Sequence, residues 1–224
     1  PIWHQEIEDI LVLKNNKGTE DNRVRKLDYS IQISKLFYER FIKNAEITLF
    51  SPNHVPDLYE AFGMPEFDSL YLKYEKDKSI PKQTIGAQEL FQALLKERAE
   101  TGRIYIMNLD HCNTHSSFKD KVYMCNLCQE ITLPTTPVQH IDDKEGEIAL
   151  CILSAINLGL LTDMNELEEL CDLSVRALDE IIDYQEYPVE AAKISAQSRR
   201  SLGIGYIGLA HYLAKNQVKY EDKK

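Results

Sequence analysis

Short apolar runs of strand length alternate with amphipathic helical stripes along this chain, and that alternation limits its fold more than any other feature. Glu46-Ile47-Thr48-Leu49-Phe50 reads as a strand ended by Ser51-Pro52, and Arg103-Ile104-Tyr105-Ile106-Met107-Asn108 as another. Between them, residues 56–75 carry a helix pair rich in Tyr and Phe. Residues 84–100 form a helix with Leu90, Phe91, Leu94 and Leu95 on one stripe, stopped by Thr101-Gly102. Upstream, Ile7, Ile10, Leu11 and Leu13 recur at helical spacing, so Ile2-Trp3 is expected inside a helix that ends at Asn15-Asn16-Lys17-Gly18. Residues 29–42 mix strand and helix periods. The apolar run 148–161 suits a buried strand leading into a loop, and residues 165–184 and 191–200 are amphipathic helices. An acidic, hairpin-like turn is expected at Asp142-Asp143-Lys144-Glu145-Gly146. Small residues in 201–208 let backbones approach closely, and the charged tail is Tyr220-Glu221-Asp222-Lys223-Lys224. The expected class is α/β, as one domain or one piece of a larger one.

With 224 residues, 43% of them hydrophobic, the chain can bury a sizeable core. Its net charge of −10 is spread over intermixed acids and bases, so no basic face offers itself to nucleic acid or a membrane surface. No apolar run approaches the roughly 20 residues that cross a bilayer, and no signal peptide opens the chain, so the expected location is cytoplasmic. The five cysteines (Cys112, Cys125, Cys128, Cys151 and Cys171) are odd in number and confined to the second half. A secreted disulfide framework is denser and more even. In a reducing compartment such cysteines are buried apolar groups, metal ligands or reactive thiols.

Cys125-Asn126-Leu127-Cys128-Gln129-Glu130 is the densest cluster of reactive side chains, and three readings compete for it. A thioredoxin-like Cys-x-x-Cys needs a helix opening within a βαβ unit, a context the flanking residues do not provide. A zinc-stabilised interaction domain has the right ligand types in His111, Cys112, His115, Cys125 and Cys128, a Cys-x-x-His followed by a Cys-x-x-Cys. Against it, residues 110–115 suit a hydrogen-bonded polar loop. The third reading treats Asn126, Cys128 and Glu130 as one constellation. In an extended segment residues i and i+2 point the same way, so the three share a face.

Blocks distributed over nearly the whole chain favour the third reading. They are Trp3-His4, Leu11-Val12-Leu13-Lys14-Asn15-Asn16, Asn22-Arg23-Val24-Arg25, Thr48-Leu49-Phe50-Ser51-Pro52, Thr101-Gly102-Arg103-Ile104-Tyr105, residues 110–116, Asn126-Leu127-Cys128-x-Glu130-Ile131, residues 146–151, and Arg200-x-Leu202-Gly203-Ile204-Gly205. In order and spacing they resemble successive landmarks of the large catalytic subunit of class I ribonucleotide reductases.

That resemblance implies part of a ten-stranded α/β barrel, over residues 1–224, with a catalytic finger loop at about residues 122–135. It implies that Cys128 carries a thiyl radical that removes the 3′ hydrogen of a ribonucleoside diphosphate. Glu130 is then the general base for the 3′-OH proton, and Asn126 a contact to the substrate hydroxyls. Cys151 is one member of a redox-active pair that protonates the departing 2′-OH and becomes a disulfide. Arg103 and Tyr105 match positions near the radical's path, while Cys112 and Cys171 are structural. No cofactor is expected on the chain. The radical comes from a metal-containing small subunit, and reducing equivalents from a thioredoxin or glutaredoxin type of reductant. Companion large-subunit fragments, or a second large subunit, are expected partners, and direct nucleic-acid or membrane partners are not. The N-terminal cone, the second redox cysteine and the C-terminal part of the subunit are expected outside this chain, which then cannot turn over alone. Cys125 departs from the family pattern, its side chain expected to point away from the site or the segment to have lost its constraint.

Overall fold

A computed structural model describes residues 1–222, so that Lys223 and Lys224 of the charged tail lie outside the described residues. The chain divides into two compact units, Pro1–Pro134 and Thr135–Lys224.

In the first unit the order is α1 (Ile7–Leu11), β1 (Tyr29–Ile33), α2 (Lys35–Ile42), β2 (Glu46–Phe50), α3 (Pro56–Ala61), α4 (Phe67–Lys76), β3 (Lys82–Gly86), α5 (Ala87–Thr101), β4 (Ile104–Asn108) and α6 (Leu109–Thr114). β1 and β4 pair in parallel with Ile31 opposite Ile106, and β2 and β3 pair antiparallel with Thr48 opposite Thr84. The expected strands at 46–50 and 103–108, the helix pair after Pro52 and the strand-to-helix region at 29–42 all form. Their apolar stripes meet in one core around Trp3, Phe37, Phe50, Phe62, Phe67 and Tyr71. Gly102, at φ 65, ends α5 in the left-handed conformation, its N–H donating to the Arg98 carbonyl at 2.7 Å.

Two boundaries differ from expectation. The helix expected from Thr84 begins at Ala87, because Thr84, Ile85 and Gly86 are taken up by the ladder with β2. The opening residues are not helical either. Ile2 N donates to Gln32 O at 2.9 Å, Phe50 N to Trp3 O at 2.8 Å and Gln5 N to Phe50 O at 2.9 Å. Backbone groups at the ends of β1 and β2 thus capture residues 2–5, seat Trp3 against Phe62, and leave only Ile7–Leu11 as helix.

The second unit contains β5 (Leu153–Asn157), a single 3₁₀ turn at Leu158–Leu160, α7 (Glu166–Tyr184), α8 (Glu190–Arg199), β6 (Gly203–Ile207) and α9 (Leu209–Lys215). β6, which the sequence marks only as a small-residue segment, pairs in parallel with β5, Ala155 opposite Gly205. The acidic turn forms as expected. Asp143 accepts from the backbone N–H groups of Gln139, Glu145 and Gly146, and Thr136 pairs with Glu147. The run 148–161 is only half buried. Ile152 packs with Leu178, Ile182 and Ala196, and Ile156 on the same face is buried, whereas Leu153 on the opposite face is 52% exposed. Strand alternation explains this: within the unit, α7 and α8 supply apolar cover to one face.

Candidate active site

The segment that carries the proposed chemistry hangs from β1 and α6 by two side-chain amides. Asn113, on α6, donates from Nδ2 to Val122 O at 3.0 Å and accepts from Val122 N at 2.8 Å. Gln32, on β1, donates from Nε2 to Tyr123 O at 2.6 Å. Each amide stands in for a strand neighbour, so residues 122–123 are held without a regular ladder.

Beyond that point the chain turns. Gln129 N donates to Asn126 O at 3.2 Å, Asn126 N to Ile131 O at 3.3 Å, and Ile131 N to Asn126 Oδ1 at 3.0 Å. Gln129 sits at φ 68, a left-handed conformation that costs an L-residue about 1 kcal/mol. The extended segment assumed from sequence is therefore replaced by a reverse turn with Leu127 and Cys128 at its tip. The i, i+2 alternation no longer aligns Asn126, Cys128 and Glu130. Cys128 and Glu130 are exposed, and Asn126 is half-buried, its side chain engaged in closing the turn.

Cys125 turns the other way. It is half-buried and packs against the core of the first unit, as does Cys112. Burial pushes the Cys125 thiol up; the Ser30 hydroxyl and Gln129 amide beside it pull down, and the Glu130 carboxylate adds to the rise. Burial likewise raises Cys112, with the neighbouring Cys125 and Asp110 adding to it. Both are poor nucleophiles in this state. The thiol that departs from the expected pattern faces the core and away from the turn's outer surface.

His111 on α6 and His115, which caps the C-terminal end of that helix, lie four residues apart, their rings edge to face at 5.7 Å between centroids. With Cys112, Asn108, Gln129 and Thr132 they line a cavity of about 370 Å³ beside the turn. The zinc arrangement does not form. Among the described residues no group of three or more His, Cys, Asp or Glu side chains is placed to hold a metal ion. Cys112 follows His111 by one residue, about 100° around the helix, so the histidines face outward while the cysteine turns to the core.

Cys151 belongs to the second unit and precedes β5. It is exposed, which corrects its expected place at the heart of a buried run; the buried neighbour is Ile152, 8% exposed. Arg103 is exposed just before β4, Tyr105 is 36% exposed on that strand, and Cys171 is exposed on α7. All five cysteines are free thiols. Sequence reasoning missed Asn113, Gln32 and Gln129, whose roles depend on partners far along the chain. The one local signal was the polar run around Asn113.

A pair of parallel strands joined through helices, with a cysteine-bearing turn hung from one of them, is the setting in which the family assignment becomes informative. The sequence profile described as ribonucleotide reductase, barrel domain, matches residues 1–224, and the chain belongs to that family. Among individual relatives, the chain is 60% identical over 227 residues to the ribonucleoside-diphosphate reductase subunit alpha of Buchnera aphidicola from Schizaphis graminum. It is 57% identical to the ribonucleoside-diphosphate reductase 1 subunit alpha of Escherichia coli K12. The large subunit from Plasmodium falciparum is 36% identical. These alignments cover 98–99% of the chain and only 27–30% of the relatives, so the chain spans less than a third of their length. Among the described residues no helix is long and apolar enough to cross a membrane.

Proposed function

We propose that this chain is the segment of a ribonucleoside-diphosphate reductase large subunit that carries the radical thiol, Cys128. The observation that carries the proposal is the exposed Asn126–Gln129 turn, with Cys128 at its tip, in a chain that matches the reductase barrel family throughout. Residues 1–224 then contribute to a ten-stranded barrel, and residues 122–135 are its finger loop.

In this reading the Cys128 thiyl radical takes the 3′ hydrogen of a ribonucleoside diphosphate. An S–H bond forms as the ribose C–H bond breaks, leaving the unpaired electron on carbon. Glu130 accepts the 3′-OH proton and Asn126 orients the hydroxyls. Replacing the 2′-OH by hydrogen, with loss of water, needs two protons and two electrons before Cys128 returns the 3′ hydrogen. Cys151 and a second cysteine supply them by becoming a disulfide, which an external dithiol of the thioredoxin or glutaredoxin type reduces again. A thiyl radical requires an enclosed site that keeps out adventitious reductants and oxygen. The exposure of Cys128 and Cys151 therefore calls for cover from the rest of a subunit. The radical itself is delivered by a metal-containing small subunit.

The test is deoxynucleotide formation by a large subunit carrying this segment, assayed with its small subunit and a dithiol. Cys128→Ser is expected to abolish turnover while leaving substrate binding intact, and Cys151→Ser to stop the reaction after the reducing step fails. Full turnover by the Cys128→Ser subunit would remove the assignment. The chain assayed alone is expected to give no deoxynucleotide.

A further inference from the structure

The reductase reading asks Cys128 and Glu130 to act on one ribose carbon, the thiol on its hydrogen and the carboxylate on its hydroxyl proton. They must then share a face. The single residue between them, Gln129, decides whether they do. An extended residue at 129 would align the two side chains, whereas the observed left-handed residue, φ 68, reverses the chain between them.

Two local features make this conformation one that the chain can leave. The left-handed region carries a steric penalty that glycine would escape and glutamine does not. The Gln129 Nε2 is also buried, and what stands beside it is the Cys125 sulfur, a weak acceptor that satisfies it poorly. Turn closure through Gln129 N needs no side chain at all, so the amide contributes nothing to that bond.

We propose that Gln129 is a positioning residue for the Cys128–Glu130 pair: left-handed, it holds thiol and carboxylate apart, and a swing into the extended region brings them onto one face. This rests on the reductase reading for its purpose, but its geometry can be tested without turnover. The 224-residue chain is alkylated under native conditions with iodoacetamide at one fixed pH, and the rate is read at the Cys128 peptide by mass spectrometry.

Gln129→Val, β-branched and averse to the left-handed region, is expected to extend the segment and set Glu130 beside Cys128. The thiolate, which is the reacting species, becomes less populated, and alkylation slows about fivefold, the factor for two unit charges about 4 Å apart in water. Gln129→Gly keeps the left-handed region open and retains the wild-type rate. Glu130→Gln in the Val background restores that rate, a charge-specific rescue that a merely loosened loop would not give. Glu130→Gln alone leaves the wild-type rate unchanged.

An unaltered rate in Gln129→Val, equal slowing in Gln129→Gly, or failure of the charge rescue overturns the proposal. So does acceleration by Glu130→Gln alone, which would mean that the two groups already face each other. Should the Val variant lose its circular dichroism signal, Gln129→Thr, also β-branched but polar, takes its place with the same expected slowing and the same charge rescue. If the rates follow expectation while a Cys128→Ser subunit turns over normally, the hinge stands and the reductase assignment falls.

Discussion

Glu75 shows how one residue can join several elements of the first unit. It accepts both guanidinium nitrogens of Arg40, at 2.5 and 2.6 Å, and the Thr48 hydroxyl at 2.6 Å. Thr48 in turn exchanges backbone bonds with the buried Tyr71 hydroxyl, at 2.6 and 2.7 Å. Burial pushes the Glu75 carboxyl up, but Arg40 and Thr48 outweigh it and hold the group below its ordinary range. A carboxyl whose folded pKa is depressed stabilises the fold fully above its unfolded pKa, and that contribution is lost as pH falls through the folded value. Glu75→Ala strands Arg40, whose side chain is only 15% exposed, and is expected to lower the unfolding free energy by about 2–3 kcal/mol in urea titration at neutral pH. The stability gap between wild type and Glu75→Gln should narrow below about pH 4.3, where an unfolded-state glutamate protonates. A gap that is constant with pH would show that shape, and not charge, holds the junction.

The elements that were legible in the sequence are those whose own periodicity decides their fate. α5 and α7 each carry an apolar stripe long enough to outvote local exceptions, and β2 and β4 are short apolar runs with sharp stops. Two other elements were not legible because their partners decide them. Residues 2–5 have helical spacing behind them but are bonded by the ends of β1 and β2. β6 is rich in glycine, which lowers strand propensity, and becomes a strand only through its ladder with β5. The turn at residues 126–129 escaped for a third reason: a single left-handed residue at 129 cancels an alternation that the residue types otherwise satisfy. Close approach at the end of β6 can be tested directly. Gly208 sits at φ 71, and a Cβ there would collide with the Asn157 side-chain oxygen, which accepts from Gly159 N at 3.1 Å. Gly208→Ala is expected to cost about 1–2 kcal/mol, lowering the thermal midpoint of the second unit, whereas Gly205→Ala, with open space around its Cβ, should cost less. Equal losses at the two sites would refute the collision.

At the scale of the whole molecule, the two units are unequal in what holds them. Among the described residues, the first unit buries 24 hydrophobic side chains in a single cluster that includes Trp3, Phe50 and Phe67. The second gathers four, Ile152, Leu178, Ile182 and Ala196, in a unit bounded by Thr135–Lys224. Hydrophobic burial is the main favourable term in folding, and a small unit with little of it is marginal. Polar ties partly compensate in the second unit. Arg200, left-handed at φ 48, bonds Asp179 and Asp183 and so links the end of α8 to α7, while Arg199 pairs with Glu147. The Asp179 and Asp183 pairings are solvent-exposed, and exposed ion pairs contribute little. Local opening free energies should therefore differ across the chain. Hydrogen exchange followed by mass spectrometry is expected to show α7 and α8 peptides exchanging well before those of α5 and β4, under conditions where the latter remain protected. Protection in α7 equal to that in α5 would mean that the second unit derives its stability from something other than its own small core.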